Sequence, residues 1–150
     1  MCGIAGIVGE SSVPERRLVL EMLAHRGPDG EGEYADPDGG VWVGHRRLAI
    51  IDVEGTLQIV FNGCVYNYQE LGAHLRSFGH RFTTHSDTEV VLHAYEQWGE
   101  GCVSRFNGMW AFAIWDRRRR RLFCSRDRIG VKPFYYFWDG KRFGFASEIK

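Results

Sequence analysis

The run Met109–Trp115 (MWAFAIW) constrains the fold more than any other stretch of the chain. It is almost wholly apolar and aromatic and lacks the alternation of a half-buried strand. It therefore reads as a strand buried on both faces, which requires a packed layer on either side. At 150 residues the chain is long enough for one domain with a real core. Its 44% hydrophobic and 25% charged residues are ordinary for a globular protein, which excludes a disordered chain, a collagen-like repeat and a pure coiled coil. An aromatic content of 14% and nineteen glycines favour sheets and tight turns over a helical bundle. Nineteen basic residues balance nineteen acidic ones, and zero net charge argues against a dedicated nucleic-acid or membrane-surface binder.

Other strands read from the pattern are Gly3–Val8, Val41–Val43, Leu48–Ile51, Leu57–Phe61 and Leu122–Cys124. Tyr135–Trp138 and Phe143–Ala146 flank Asp139-Gly140, a strong hairpin signal. A helix is expected over Pro14–Ala24, with Leu18, Met22 and Leu23 on one face, and a second over Tyr68–Phe78. A third starts near Ser86, which with Glu89 forms a capping-box pattern, and buries Val90, Val91, Ala94 and Trp98. His25–Gly30 (HRGPDG) is a punctuated loop. The five arginines Arg117–Arg121 lie between two apolar strands, so a solvated hairpin turn explains them better than a nucleic-acid patch. The sum is an α+β architecture: two sheet layers with helices outside.

No stretch approaches the roughly 20 apolar residues of a membrane-spanning helix. The N-terminus lacks the basic segment of a signal peptide, so the cytoplasm is the expected compartment. The four cysteines, Cys2, Cys64, Cys102 and Cys124, are widely spaced with no CxxC pair, so free thiols are expected and no metal site. Cys2 stands apart chemically. Removal of Met1 would leave it a free α-amine with a pKa of about 7.7 to 8.0, partly neutral near pH 7. Nucleophile and base then belong to one residue, with the amine helping to generate the reactive thiolate.

Several motifs occur in order: Cys2-Gly-Ile-Ala-Gly, His25-Arg-Gly-Pro-Asp, Gly44-His-Arg-Arg-Leu-Ala-Ile-Ile-Asp, Phe61-Asn-Gly, Tyr66-Asn-Tyr and Ser86-Asp-Thr-Glu. Together they resemble the class II, N-terminal-nucleophile glutamine amidotransferases. Arg105-Phe-Asn-Gly-Met-Trp-Ala-Phe, Ser125-Arg-Asp-Arg-Ile-Gly-Val-Lys-Pro and Phe145-Ala-Ser-Glu-Ile-Lys look like the glutaminase domain of glutamine-dependent asparagine synthetases. The resemblance implies the N-terminal-nucleophile hydrolase fold, an αββα four-layer sandwich with two antiparallel sheets. It covers residues 1–150 as one glutaminase domain; the ATP-dependent synthetase domain expected to follow is absent from these residues.

The resemblance also implies roles. Cys2 attacks the glutamine side-chain amide and forms a γ-glutamyl thioester. Asn62 and Gly63 supply the oxyanion donors. Arg47 binds the substrate α-carboxylate, Leu48, Ala49, Ile50 and Ile51 line the pocket through backbone groups, and Asp87 binds the α-ammonium. Arg26 shapes the pocket from its loop. No cofactor is implied for this domain; ATP and magnesium belong to the synthetase step. The implied partners are L-glutamine and a synthetase domain or chain that accepts ammonia, and a homodimer is left open. Taken without the other motifs, Asn62-Gly63 would read as a plain turn.

Two features depart from the family pattern. Cys64 stands where Asn-Gly is usually followed by glutamate, which removes a charge that would hold the ammonium. Asp52-Val-Glu-Gly-Thr runs almost directly into Leu57, which shortens the segment that contributes to the glutamine-covering loop. These departures leave a second reading open, that of a catalytically degraded domain kept as a binding or structural module. The glutaminase of another synthetase-like pathway is a third.

Overall fold

The computed structural model describes residues 2–46, 51–53 and 55–149, with the side chains of 51–53 outside that description. The strands are β1 (Gly3–Val8), β2 (Glu31–Asp36), β3 (Val41–Arg46), β4 (Ile51–Val53), β5 (Leu57–Val65), β6 (Gly108–Asp116), β7 (Arg121–Arg126), β8 (Tyr135–Trp138) and β9 (Phe143–Ala146). The helices are α1 (Val13–Met22), α2 (Tyr68–Ser77) and α3 (Asp87–Trp98), with 3-10 turns at Ala24–Arg26 and Gly99–Arg105. Sheet A has the strand order β2-β3-β1-β9-β8 and sheet B the order β4-β5-β6-β7, with every pairing antiparallel.

The two faces of β6 explain why its sequence does not alternate. Trp110, Phe112 and Ile114 point into a core shared with α2 and α3. Ala111, Ala113 and Trp115 point the other way, against Ile4, Val43 and Phe145 of sheet A. A third apolar cluster joins Ala5 and Trp42 on the outer face of sheet A to Leu20 and Leu23 at α1. The layers therefore run α1, sheet A, sheet B, α2 with α3: the four-layer αββα sandwich that the resemblance implies.

Helix α1 is shorter than Pro14–Ala24 and rotated from the expected face. Ser12 caps it, and Ser12 and Glu15 form a complete capping box. Leu20 is buried, whereas Leu18 is 56% exposed, because the helix touches sheet A along a narrow stripe over Trp42. At α3 the Ser86 hydroxyl accepts from Thr88 N, but Glu89 does not complete a capping box. Its buried carboxylate turns back to accept from the backbone N–H and hydroxyl groups of both Thr83 and Thr84, at 2.6 to 2.9 Å. Burial raises the Glu89 pKa, but those four hydrogen bonds outweigh it and hold the carboxyl below its ordinary value.

Strand β2 escapes sequence reading because it is a sheet edge with a charged, largely exposed surface. Residues 117–120 form the turn between β6 and β7. Arg117 pairs with Asp36 and Asp38, Arg119 with Asp116 and Arg121 with Glu100. The other sheet-A edge, β8, is a run of four aromatic residues that are all exposed, with Tyr136 at 72% and Trp138 at 63%. Its outer face joins Ile7, Val19 and Trp42 around a groove of about 550 Å³. No helix among the described residues is long and apolar enough to cross a membrane.

Candidate active site

Asn62-Gly63 lies in the middle of β5, not in a turn. Asn62 pairs with Ala111 and Gly63 with Trp110. Strand alternation puts Asn62 on the same face as Val60, toward the layer between the sheets. Asn62 is 1% exposed, and its Nδ2 amide has no hydrogen-bond partner among the described residues. A buried donor left unpaired costs about 1–3 kcal/mol and marks a position where a ligand acceptor would be favoured.

Gly63 supplies a second donor by strand geometry. Opposite it, both backbone groups of Trp110 are engaged by Asp127: its carbonyl accepts from Asp127 N at 2.8 Å and its N–H donates to the Asp127 side-chain Oδ2 at 3.3 Å. Gly63 and Trp110 are thus a non-hydrogen-bonded pair, and the Gly63 N–H points off the far edge of β5. The described β4 pairing ends at Ile51–Ile59, before that point.

Cys2 immediately precedes β1 and is buried. Parity with Ile4 sets it toward the intersheet layer, and β1 and β3 pack against β5. The start of β1 is locked on both sides of Ile4, whose N–H donates to Ser147 Oγ and whose carbonyl accepts from Ser147 N, at 3.0 and 2.9 Å. Arg26 donates through Nε to the Cys2 carbonyl at 3.3 Å and through Nη1 to Glu148 at 2.7 Å. The His-Arg-Gly-Pro-Asp and Ala-Ser-Glu-Ile-Lys motifs thus converge on the backbone of Cys2, where Arg26 both holds the Cys2 carbonyl and forms an ion pair.

Asp87 opens α3 and accepts from Val65 N at 2.9 Å through Oδ2, which ties the helix start to the end of β5. Its carboxylate lies beside Cys64: burial first, then the Asp87 charge, push the Cys64 thiol up, and Lys132 opposes them. Asn62, Gly63, Cys64 and Asp87 therefore form one contiguous strip. Arg47, Leu48, Ala49 and Ile50 lie outside the described residues, as does Met1. Ile51 begins β4 opposite Ile59, and its side chain is likewise outside the description. The segment between β4 and β5 is a tight hairpin, with Val53 paired to Leu57 and Gly55 at φ 70°.

Two site residues escaped the sequence reading. Lys132 is held by the loop after β7, where Asp127, bonded to Trp110 of β6, also accepts from the N–H groups of Val131 and Lys132, both at 2.9 Å. His45 pairs with Ile4, two residues from Cys2, and is 4% exposed. Neither of its ring nitrogens has a partner among the described residues. Its signal in the sequence was its strand parity with Val41 and Val43, which sets it on the inner face.

Burial pushes the His45 pKa from 6.5 down to about 4, so the fold holds the ring neutral. The unfolded chain takes up the proton first as pH falls. Stability is then full above pH 6.5 and declines toward pH 4, by about 3 kcal/mol for the 6.5-to-4 shift. Urea unfolding across that range should show this acid limb, and His45→Leu should flatten it. An unchanged limb in the variant would refute the assignment.

The chain matches the family model described as a glutamine amidotransferase domain over residues 1–150. It is 44% identical over 167 residues to asparagine synthetase [glutamine-hydrolyzing] 3 of Bacillus subtilis, covering all of this chain and 27% of that protein. It is 41% identical over 180 residues to a putative asparagine synthetase [glutamine-hydrolyzing] 2 of Methanocaldococcus jannaschii, covering all of this chain and 34% of that one. The chain thus spans about a third or less of the length of these curated relatives. Among solved structures, glutamine phosphoribosylpyrophosphate amidotransferase from B. subtilis superposes with a TM-score of 0.79 at 24% identity, over 98% of this chain and 42% of that one. That likeness shows the fold, and the family match and relatives show the rest: the chain belongs to the glutamine amidotransferase family.

Proposed function

We propose that the chain hydrolyses L-glutamine to glutamate and ammonia through a γ-glutamyl thioester on Cys2. The observation that carries this reading is Asn62, a buried amide whose Nδ2 has no partner among the described residues and which faces the intersheet layer next to the Gly63 N–H. The Cys2 thiol, deprotonated by its own α-amine through a water once Met1 is removed, attacks the side-chain amide carbon. The oxyanion takes hydrogen bonds from Asn62 Nδ2 and Gly63 N–H. Its collapse expels ammonia, which takes the transferred proton, and water then cleaves the thioester to glutamate and free thiol. Asp87 holds the substrate ammonium, and Arg47 its carboxylate. With cysteine at position 64, Asp87 carries that charge without a glutamate beside it.

Asn62→Ala should lower kcat for glutamine about 100- to 1,000-fold with little change in KM, the size of effect expected for one oxyanion donor. Steady-state ammonia release checks it, and an unchanged kcat would remove Asn62 from the mechanism. The degraded-module reading rests on Cys64 and the short β4–β5 connection, and glutamine turnover by the Met-free protein would decide against it.

The ammonia acceptor is a synthetase domain or chain that uses ATP and magnesium to make asparagine. The glutaminase step itself draws nucleophile, base and oxyanion donors from this chain alone. The exposed aromatic strand β8 supports such a neighbour, since an apolar edge of this kind is normally covered. Four free cysteines support a reducing compartment, the cytoplasm.

A further inference from the structure

Away from the glutamine site, three side chains converge on one point. His80 Nδ1 lies 3.2 Å from His93 Nδ1 and 3.3 Å from Glu96 Oε2, and His93 Nδ1 lies 3.1 Å from the same oxygen. Tetrahedral bonds to zinc of about 2.0–2.1 Å set neighbouring ligand atoms about 3.3 Å apart, so this triangle has the dimensions of a tripod around one ion. We propose that His80, His93 and Glu96 bind a divalent first-row transition ion, zinc in the first instance, with the fourth position left to water.

Proton counting favours an ion over a hydrogen-bond network. The Nε2 of His80 donates to Gln97 Oε1 at 2.9 Å, so in the neutral ring its Nδ1 carries a lone pair. Glu96 contributes lone pairs only, so with both rings neutral the three mutually close atoms share at most the single proton of His93. A cation accepts all three lone pairs at once. Two imidazoles and a carboxylate are a donor set suited to zinc.

The surroundings orient the ligands as a metal site requires. Gln97 fixes the His80 tautomer. Glu89 lies 3.9 Å from His93 Nε2, and its carboxylate is immobilised by Thr83 and Thr84. Phe82 packs edge-on against the His93 ring at 4.7 Å. His93 and Glu96 sit three residues apart on one face of α3, so the helix presents both together. The His80 and His93 side chains are 13% and 7% exposed, while Glu96 at 38% leaves a path for entry.

Asp87 begins the same helix six residues before His93, about 9 Å away along the axis. The ion would therefore staple the α2–α3 connection, which carries Thr83 and Thr84, to the helix that presents Asp87. Its role is structural and independent of the chemistry at Cys2. No metal-ligand spacing announced it, because His80 comes from a loop and its partners from the helix beyond.

The test strips the protein with a chelator and titrates zinc against a chromophoric competitor, in wild type, Glu96→Gln and His80→Gln. One equivalent should bind per chain, with affinity reduced at least tenfold in each variant. Saturating zinc should raise the wild-type Tm by about 5–10 °C when present at about a hundred times the wild-type dissociation constant, and raise that of Glu96→Gln by no more than about half as much at the same concentration. Cobalt substitution should give the visible bands of a four-coordinate nitrogen–oxygen site with no thiolate charge-transfer band. No saturable binding, equal affinity in Glu96→Gln, or a thiolate band would each overturn the proposal. Glu96 is partly exposed, so Glu96→Gln carries the test even if His80→Gln fails to fold.

Discussion

Cys2→Ala is expected to abolish glutamine turnover, lowering kcat by about 10,000-fold or more, as removal of a catalytic nucleophile does. The substitution deletes one sulfur from a small buried side chain, so the Tm should move little. Ammonia release and thermal unfolding, measured on the same preparation, separate lost chemistry from lost fold. The other thiols are poor substitutes for a physical reason. Burial pushes Cys102 and Cys124 up to about 12, and burial with the Asp87 charge raises Cys64. Thiolates there are scarce at neutral pH. An electrophilic glutamine analogue should therefore label Cys2 alone, and glutamine should block the labelling. Peptide mapping by mass spectrometry reads the labelled residue and the state of Met1 together. Turnover surviving in Cys2→Ala would end the thioester mechanism.

Gly63→Ala is expected to cost about 3 kcal/mol or more of stability and most of the activity. A Cβ at Gly63 would lie 2.3 Å from the Met109 carbonyl oxygen and 2.7 Å from Trp110 Cα. Both atoms are backbone of β6, an inner strand of sheet B, so no side-chain rotation relieves the clash. The close approach follows from the pairing, since strands come nearest at non-hydrogen-bonded positions such as Gly63–Trp110. Separating β5 from β6 there would also displace the neighbouring Asn62 amide. Urea unfolding and kcat should fall together. A variant with wild-type stability would mean that β5 can shift outward, and the close packing would then not constrain the site.

Much of the architecture was legible because apolar side chains report their own burial. Met109–Trp115 declared a strand covered on both faces, and Asp139-Gly140 declared the β8–β9 hairpin. Elements without that pressure were not legible: β2 is a charged sheet edge, and Leu18 continues the helical pattern into solvent. The ordered motifs likewise named Cys2, Asn62, Gly63 and Asp87, because each carries a chemical group that the proposed reaction calls for.

Tertiary structure alone decided how those groups are used. Asn-Gly reads locally as a turn, yet the ladder with Ala111 and Trp110 makes it a strand and leaves the Asn62 Nδ2 without a partner among the described residues. Glu89 reads locally as a capping partner for Ser86, yet the loop before α3 folds over it and takes its carboxylate. His45 shows only its strand parity with Val41 and Val43, and Lys132 and the His80–His93–Glu96 triangle have no local signature, since their neighbours come from other strands, loops and helices. Local sequence determines which faces are buried and which reactive groups the chain possesses. Their protonation, their hydrogen-bond partners and their proximity depend on long-range pairing, which a linear pattern does not encode.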